Sequence, residues 1–230
     1  MLTSLPPWEL LMKKMVWSQL GEIQNKRILD YGSGIGVTAS HFAANNTVIA
    51  IEPDEESVNN RWSDPSYRQI VGALECLLRL EDESFDVIIC HNVLEYAAER
   101  SEILRQFHRL LKKDGLLSIV KHNRPGRIMQ MIVLLNDFEK ANDLLDGKDG
   151  TASKYGTIRY YEDQDIESWC SGFQIKKTYG IRTFWDLQQN QQCHQDPQWQ
   201  EKMLEAEKRV SEIPEFRDIS FFHHLLIQKR

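Results

Sequence analysis

The residues best placed to do chemistry lie in one short stretch, Asp30-Tyr31-Gly32-Ser33-Gly34-Ile35-Gly36, and at Glu52 beyond it. Glycine tolerates positive φ and carries no side chain, so such a loop lets backbone amides approach a ligand closely. A helix opening directly after it adds a partial positive charge from its first N–H groups. The spacing Gly32-x-Gly34-x-Gly36 puts Val37 where a dinucleotide fingerprint carries its third glycine. Asp30, just ahead of the loop, would repel a pyrophosphate but attract the ammonium of an amino-acid-like ligand. Glu52 falls about 20 residues after the loop, where an acidic side chain can meet ribose hydroxyls. On these residues alone a nicotinamide cofactor, or a tight turn with no ligand, stays open.

A second group follows two apolar runs. His91, Asn92 and Glu95 come after Phe85 to Cys90, and Lys121, His122 and Asn123 after Leu116 to Val120. In open α/β sheets ligands lie beyond the carboxyl ends of the strands, so both groups are expected on that rim. A histidine there can take a proton from a hydroxyl or amine, which makes His91 and His122 the candidate catalytic residues. His91 can equally be a packed, hydrogen-bonded side chain.

These residues need a scaffold, and the periodicity supplies one. An amphipathic helix is expected from Leu5 to about Leu20, opened by Pro6-Pro7 and stopped at Gly21. Strands follow at Arg27 to Tyr31, Thr47 to Ile51, Gln69 to Val71, Phe85 to Cys90 and Leu116 to Val120. Between them come helices from Thr38 to Ala44, from Pro53-Asp54 onward, and from Glu99 to Lys112, with Asp114-Gly115 as a turn. This alternation predicts a doubly wound parallel sheet. Beyond Lys121 the pattern is irregular: a helical stretch from Ile128 to Leu135, a loop rich in Gly and Asp, a strand from Phe173 to about Thr183, a helix from Pro197 to Val210, and a last strand from Phe221 to Ile227.

Composition narrows the setting. The 230 residues suit one α/β domain, and 34 acidic against 28 basic residues give a formal charge of −6. A nucleic-acid partner therefore needs a local basic patch. The four cysteines, Cys76, Cys90, Cys170 and Cys193, form no CxxC pair, so reduced thiols in a cytoplasmic protein are expected, with no metal. No apolar run is long enough for a membrane span.

Taken together, ILDYGSGIG, VIAIEP with its strand-ending Glu52, FDVIICHNVLEY and KKDGLLSIV resemble the class I S-adenosylmethionine-dependent methyltransferases over roughly residues 25 to 121. The resemblance implies a mostly parallel, seven-stranded Rossmann-like sheet with helical cap insertions, and S-adenosyl-L-methionine as cofactor. It assigns the cofactor to Asp30, Gly32, Ser33, Gly34, Gly36, Glu52, Pro53, Leu74, Glu75 and His91. Glu75 stands near the position where the family often carries an adenine-side Asp. The implied organisation is a single domain: a cap helix in residues 1–24, a cofactor core in 25–121, a lid in 122–165, and closing strands with a helical insertion in 166–230.

The second half is similar to one subgroup, the bacterial CmoM (SmtA-like) methyltransferases, which esterify a carboxymethoxy group on the wobble uridine of tRNA. HNVLEY, HNRPG, NDF, GIRTFWD and MLEAEKRVSEIP carry this similarity. It implies a substrate side built from Asn123, Arg124, Arg127, Arg159, Tyr160 and Arg182, with guanidiniums for a carboxylate and phosphates and aromatics for a base. The chain departs from the subgroup where Asp143 to Asp149 holds only Lys148 among its acids, in place of a lysine run. Methylation of a small, carboxylate-bearing metabolite, or cofactor binding without turnover, are the other functions that fit.

Overall fold

Alternation of apolar runs with amphipathic segments produces the architecture, which the computed structural model describes for residues 5–62, 66–152 and 155–230. Residues 1–4 of the expected cap helix region and 153–154 of the expected lid lie outside the described residues. Five strands come first: β1 Arg27–Tyr31, β2 Thr47–Glu52, β3 Arg68–Val71, β4 Phe85–His91 and β5 Leu111–His122. β8 (Phe173–Ile181) and β9 (Phe222–Lys229) complete a seven-stranded sheet in the order β3-β2-β1-β4-β5-β9-β8. Neighbours among β1 to β5 are parallel. The expected seven-stranded, mostly parallel sheet is therefore present. A separate antiparallel hairpin, β6 (Gly150–Ala152) with β7 (Gly156–Ile158), stands apart from it.

The chain packs as two compact units, each assembled from separated stretches. The first comprises residues 22–120, 161–177 and 225–230. Its core joins Leu29, Ile51, Ile88 and Leu117 of the strands to Ile103, Leu104, Phe107 and Leu110 of helix α5, Arg100–Leu110. Those four helix residues recur at the spacing of one helical face. The helix was expected to run to Lys112 but stops at Leu110, because Leu111 is already extended and pairs with Phe85. The register then slips before Val87 meets Leu116, and Asp114 absorbs the slip at φ 61°. The expected Asp114-Gly115 turn is thus an irregularity inside β5. Three short helices, α2 (Val37–Ala43), α3 (Glu55–Asn59) and α4 (Leu74–Leu77), also belong to this unit. So does α8, Asp165–Trp169.

The second unit comprises residues up to 21, 121–160 and 178–224. Its helix α1, Pro7–Leu20, buries Leu11, Met12, Met15 and Val16 and ends at Gly21, which takes φ 70°. The expected helix from Ile128 to Leu135 is instead the end of α6, Arg124–Met129, continued by a π-turn over Gln130–Leu134. Leu135 N–H donates to Gln130 O at 3.1 Å, and Asn136 leaves the helix at φ 53°. Part of the expected Gly- and Asp-rich loop is helix α7, Phe138–Leu145, capped by Asp137 accepting from Lys140 N–H. Its Ala141 and Leu144 pack with Met131, Ile128 and Tyr160, which is what holds this polar stretch helical. The glutamine-rich run leads into a short 3-10 turn, Gln191–Gln195, ahead of α9, Pro197–Val210, and α10, Pro214–Arg217.

Candidate functional site

In the first unit the glycine loop leaves β1 and turns back over β2. Ile51 O accepts from both Gly32 N–H (2.8 Å) and Ser33 N–H (3.1 Å). Gly32, Gly34 and Gly36 all take positive φ, at 75°, 55° and 83°. They are glycines for two different reasons. A Cβ at Gly32 would run into Val93, and one at Gly36 into the Tyr67 ring and hydroxyl, so these two make room for the protein's own side chains. A Cβ at Gly34 would meet nothing within 4 Å. The backbone there is bare toward open space, the condition for close approach of a ligand.

Glu52, at the end of β2, is buried at 8% exposure. Its Oε2 accepts from Gly34 N–H at 2.7 Å and its Oε1 from Asp54 N–H at 3.0 Å. A carboxylate offers about four lone-pair positions, so two remain for ribose hydroxyls after these bonds. Asp30 ends up 3% exposed near the end of β1. An acid at a strand end, a second acid just before the loop and a side-chain-free backbone face between them fit an adenosyl amino acid. Pro53 is exposed beside Glu52, and Leu74 is half-buried in α4. Glu75 is exposed, its Oε1 accepts from Ala73 N–H at 2.8 Å, and backbone N–H donors hold its carboxyl below the usual range.

His91 closes β4. Its Nε2 shares a 2.8 Å hydrogen bond with the Ser118 hydroxyl on β5, which fixes the ring's orientation. Asn92 follows at φ 55°, a left-handed conformation that Asn accepts more readily than most residues, and its N–H donates to Val120 O. Cys90 lies fully inside the core, and burial pushes its thiol well up, so it is a packing residue rather than a nucleophile. Among the described residues no group of three or more His, Cys, Asp or Glu is arranged to hold a metal ion, and no helix is long and apolar enough to cross a membrane.

The expected substrate residues all fall in the second unit and do different things. Asn123 is buried, and its amide donates to Asp218 O and Ser220 O, both at 2.9 Å. That side chain ties two segments of the unit together. Arg124 donates to Leu144 O in α7 and to Lys148 O just beyond it, and its guanidinium lies over the Tyr160 ring. Arg159 is exposed.

Arg127 and Arg182 do line a cavity of about 630 Å³ within this unit. Its walls include Trp8, His122, Trp185, Phe221 and Phe222, with Gln130, Asp186 and His194 as polar members. Arg182 is 7% exposed and left-handed at φ 61°. Asp186 holds it bidentately, Nε to Oδ2 at 2.8 Å and Nη2 to Oδ1. Its guanidinium also lies over Trp8 (5.0 Å) and Phe221 (4.8 Å). Gln130 donates to Asp186 and accepts from Arg127, extending the network. Glu207, fully buried, accepts from the N–H groups of Thr183, Phe184 and Trp185 and so fixes the turn that carries Asp186. Burial pushes the Glu207 carboxyl up against the pull of those donors. His194 stacks on Trp185 at 4.4 Å, and burial lowers its basicity.

Several of these were not singled out in the sequence: Gln69, Val93, Ser118, Gln130, Glu207 and His194. Gln69 alone left a trace, as the amide opening the short strand expected from Gln69 to Val71. The others show their part only once the sheet and turns bring them together.

Comparison with known proteins agrees with this geometry. A family profile described as "Methyltransferase domain" matches residues 29–119. The tRNA 5-carboxymethoxyuridine methyltransferase of Escherichia coli K12 is 23% identical, over 95% of this chain and 88% of its own. A ubiquinone biosynthesis O-methyltransferase of Glaesserella parasuis is 24% identical, over 70% of this chain and 72% of its own. Among solved structures, an S-adenosylmethionine-dependent methyltransferase from Mesorhizobium loti superposes with a TM-score of 0.59 at 16% identity, covering 100% of both chains. One from Aquifex aeolicus gives a TM-score of 0.59 at 13% identity, covering 100% of this chain and 97% of its own. The fold is the Rossmann-like methyltransferase fold, and the domain match and the relatives support an S-adenosylmethionine-dependent methyltransferase.

Proposed function

We propose that this methyltransferase takes as its acceptor a carboxylate carried on a planar ring, as in a modified uridine of tRNA, and that the second unit's cavity holds the acceptor. The observation carrying this is the cavity's composition: aromatic walls with two guanidiniums, Arg127 and Arg182, against one carboxylate, Asp186. Rings stack on such walls, and the remaining positive charge suits an anionic substituent. A volume of about 630 Å³ matches a single nucleotide-sized or smaller ligand. The similarity to the tRNA enzyme, which runs over 95% of the chain, supports the same reading.

Bound S-adenosylmethionine supplies an electrophilic methyl group. The protein's own work is then binding and alignment. In this reading Gly34 offers its bare backbone, Glu52 accepts from the ribose hydroxyls, and Asp30 faces the amino-acid end; Pro53, Leu74 and Glu75 border the adenine. An ionised carboxylate needs no base, so the candidate histidines His91 and His122 would have no proton to take from such an acceptor. A hydroxyl acceptor would need one of them to take its proton.

A small aromatic metabolite is the second reading. It is favoured by the pairing of Arg182 with Asp186, which leaves little charge for phosphates, and by the net charge of −6. Labelled-methyl transfer separates the two. Purified enzyme is given bulk tRNA from a strain lacking this protein and, in parallel, the small-molecule fraction of the same cells. Label in tRNA, falling steeply as salt rises, supports the first reading. Label confined to small molecules would replace it with the second.

A further inference from the structure

The Gly34 backbone is gripped on both sides of its Cα. Glu52 takes its N–H from β2, and the Gln69 amide of β3 takes its carbonyl, Nε2 to O at 2.7 Å. The same Gln69 nitrogen donates to Ser33 Oγ at 3.1 Å. A carbonyl can only accept, so the amide cannot be turned over without losing its bond to Gly34. That orientation leaves Gln69 Oε1 buried with no hydrogen-bond partner. A buried, unpaired amide oxygen is unfavourable by about 1–3 kcal/mol. A plain apolar side chain at this strand position would avoid that penalty, so the amide is there for what its N–H groups hold.

We propose that Gln69 is a positioning residue for the cofactor loop: through Ser33 and the Gly34 carbonyl it sets the loop conformation that S-adenosylmethionine meets, without touching the reacting atoms. The inference rests on the loop being the cofactor site. β3 pairs with β2 so that Gln69 stands opposite Ala50, a residue with no side-chain bulk, and this leaves room for the amide to cross to the loop. Gly34 is also the one loop glycine whose Cβ direction is open, so the protein braces it through its backbone N–H and carbonyl. Without the brace on its carbonyl, Gly34 keeps only the side-chain bond from its N–H to Glu52, a side chain also needed by the ribose.

The test is affinity for S-adenosylhomocysteine, measured by calorimetry on the full chain. Gln69→Leu keeps most of the bulk and removes the donors; the expected result is a loss of about tenfold in affinity with the unliganded melting temperature little changed, since a buried unpaired oxygen is removed along with two bonds. Gln69→Glu adds a readout that packing alone would not move. At pH 8 its carboxylate opposes the Gly34 carbonyl and neighbours Glu52, so affinity should fall further than with Leu. At pH 5 protonation restores an O–H donor, assisted by Glu52 holding the new carboxyl up, and affinity should return to within about threefold of the parent protein. Gln69→Leu binding within twofold of the parent, or a Gln69→Glu deficit that ignores pH, overturns the proposal. Gly34→Arg distinguishes the two levels. If it abolishes binding while the Gln69 variants bind normally, only the role of Gln69 fails; if it too binds normally, the loop assignment fails and the proposal with it.

Discussion

Arg182 shows how a single side chain can stand on a cavity wall and in a buried ion pair at once. Its place at the end of β8 suggested a ligand for an acceptor carboxylate, yet Asp186 already occupies two of its nitrogens in a buried, bidentate pair. The left-handed backbone at Arg182, which is unfavourable for a branched or bulky residue, ends the strand at Ile181 and aims the guanidinium at the turn. Removing one member of a buried pair strands the other charge, a loss of about 3–5 kcal/mol. Asp186→Asn should therefore lower the urea midpoint strongly, whereas Arg182→Met with Asp186→Leu should recover most of it; a double variant no better than the single one would show that the pair itself stabilises the fold. The glycine loop and Glu52 were readable in the chain because the residue types carry the chemistry themselves. Gln69, Ser118 and Val93 were not, because their partners are set by parallel pairing across strands far apart in sequence.

At the scale of elements, the strands were the most legible part, since continuous apolar runs leave little choice for a buried parallel sheet. The lid was the least. Helix α7 is rich in Glu, Asp and Asn and gains its order from Ala141 and Leu144 on one face, and the π-turn before it shifts the register by a residue. Helix α1 and strand β9 illustrate a coupling no periodicity reveals: His224, fully buried, bonds through Nδ1 to Gln19 Oε1 at 2.7 Å, and Gln19 also donates to Gly180 O. Burial pushes the His224 imidazole down to about 3 from 6.5. Between those values the unfolded chain binds a proton that the folded one refuses, so stability is full above pH 6.5 and falls as pH drops toward 3, by about 1.4 kcal/mol per unit. His224→Phe should flatten this limb in urea unfolding followed from pH 7 to pH 4. An unchanged slope would mean the imidazole is not buried neutral.

For the whole molecule, cofactor binding and stability are one equilibrium. A ligand that binds only the folded chain adds about 2.7 kcal/mol at a hundred times its Kd. S-adenosylhomocysteine should therefore raise the melting temperature of the parent chain in proportion to the logarithm of its concentration. Glu52→Ala should need a far higher concentration for the same rise, and an identical titration curve would remove Glu52 from the site. Fold class was readable at this scale from the alternation of elements, but the make-up of the two units was not. Each gathers three separated stretches, a result of which strands and turns finally meet rather than of any boundary in composition.

That gathering bears on how the chain comes to life on a ribosome. The first unit's core includes Leu225 and Ile227, and the Lys229 ammonium donates to Leu111 O at 2.6 Å and to Glu83 at 3.2 Å, across more than a hundred intervening residues. β9 follows every other strand of this sheet in the chain, and it is the strand that lies between β5 and β8. Until it emerges, β5 waits with one edge unpaired, the kind of exposed template that invites association between nascent chains.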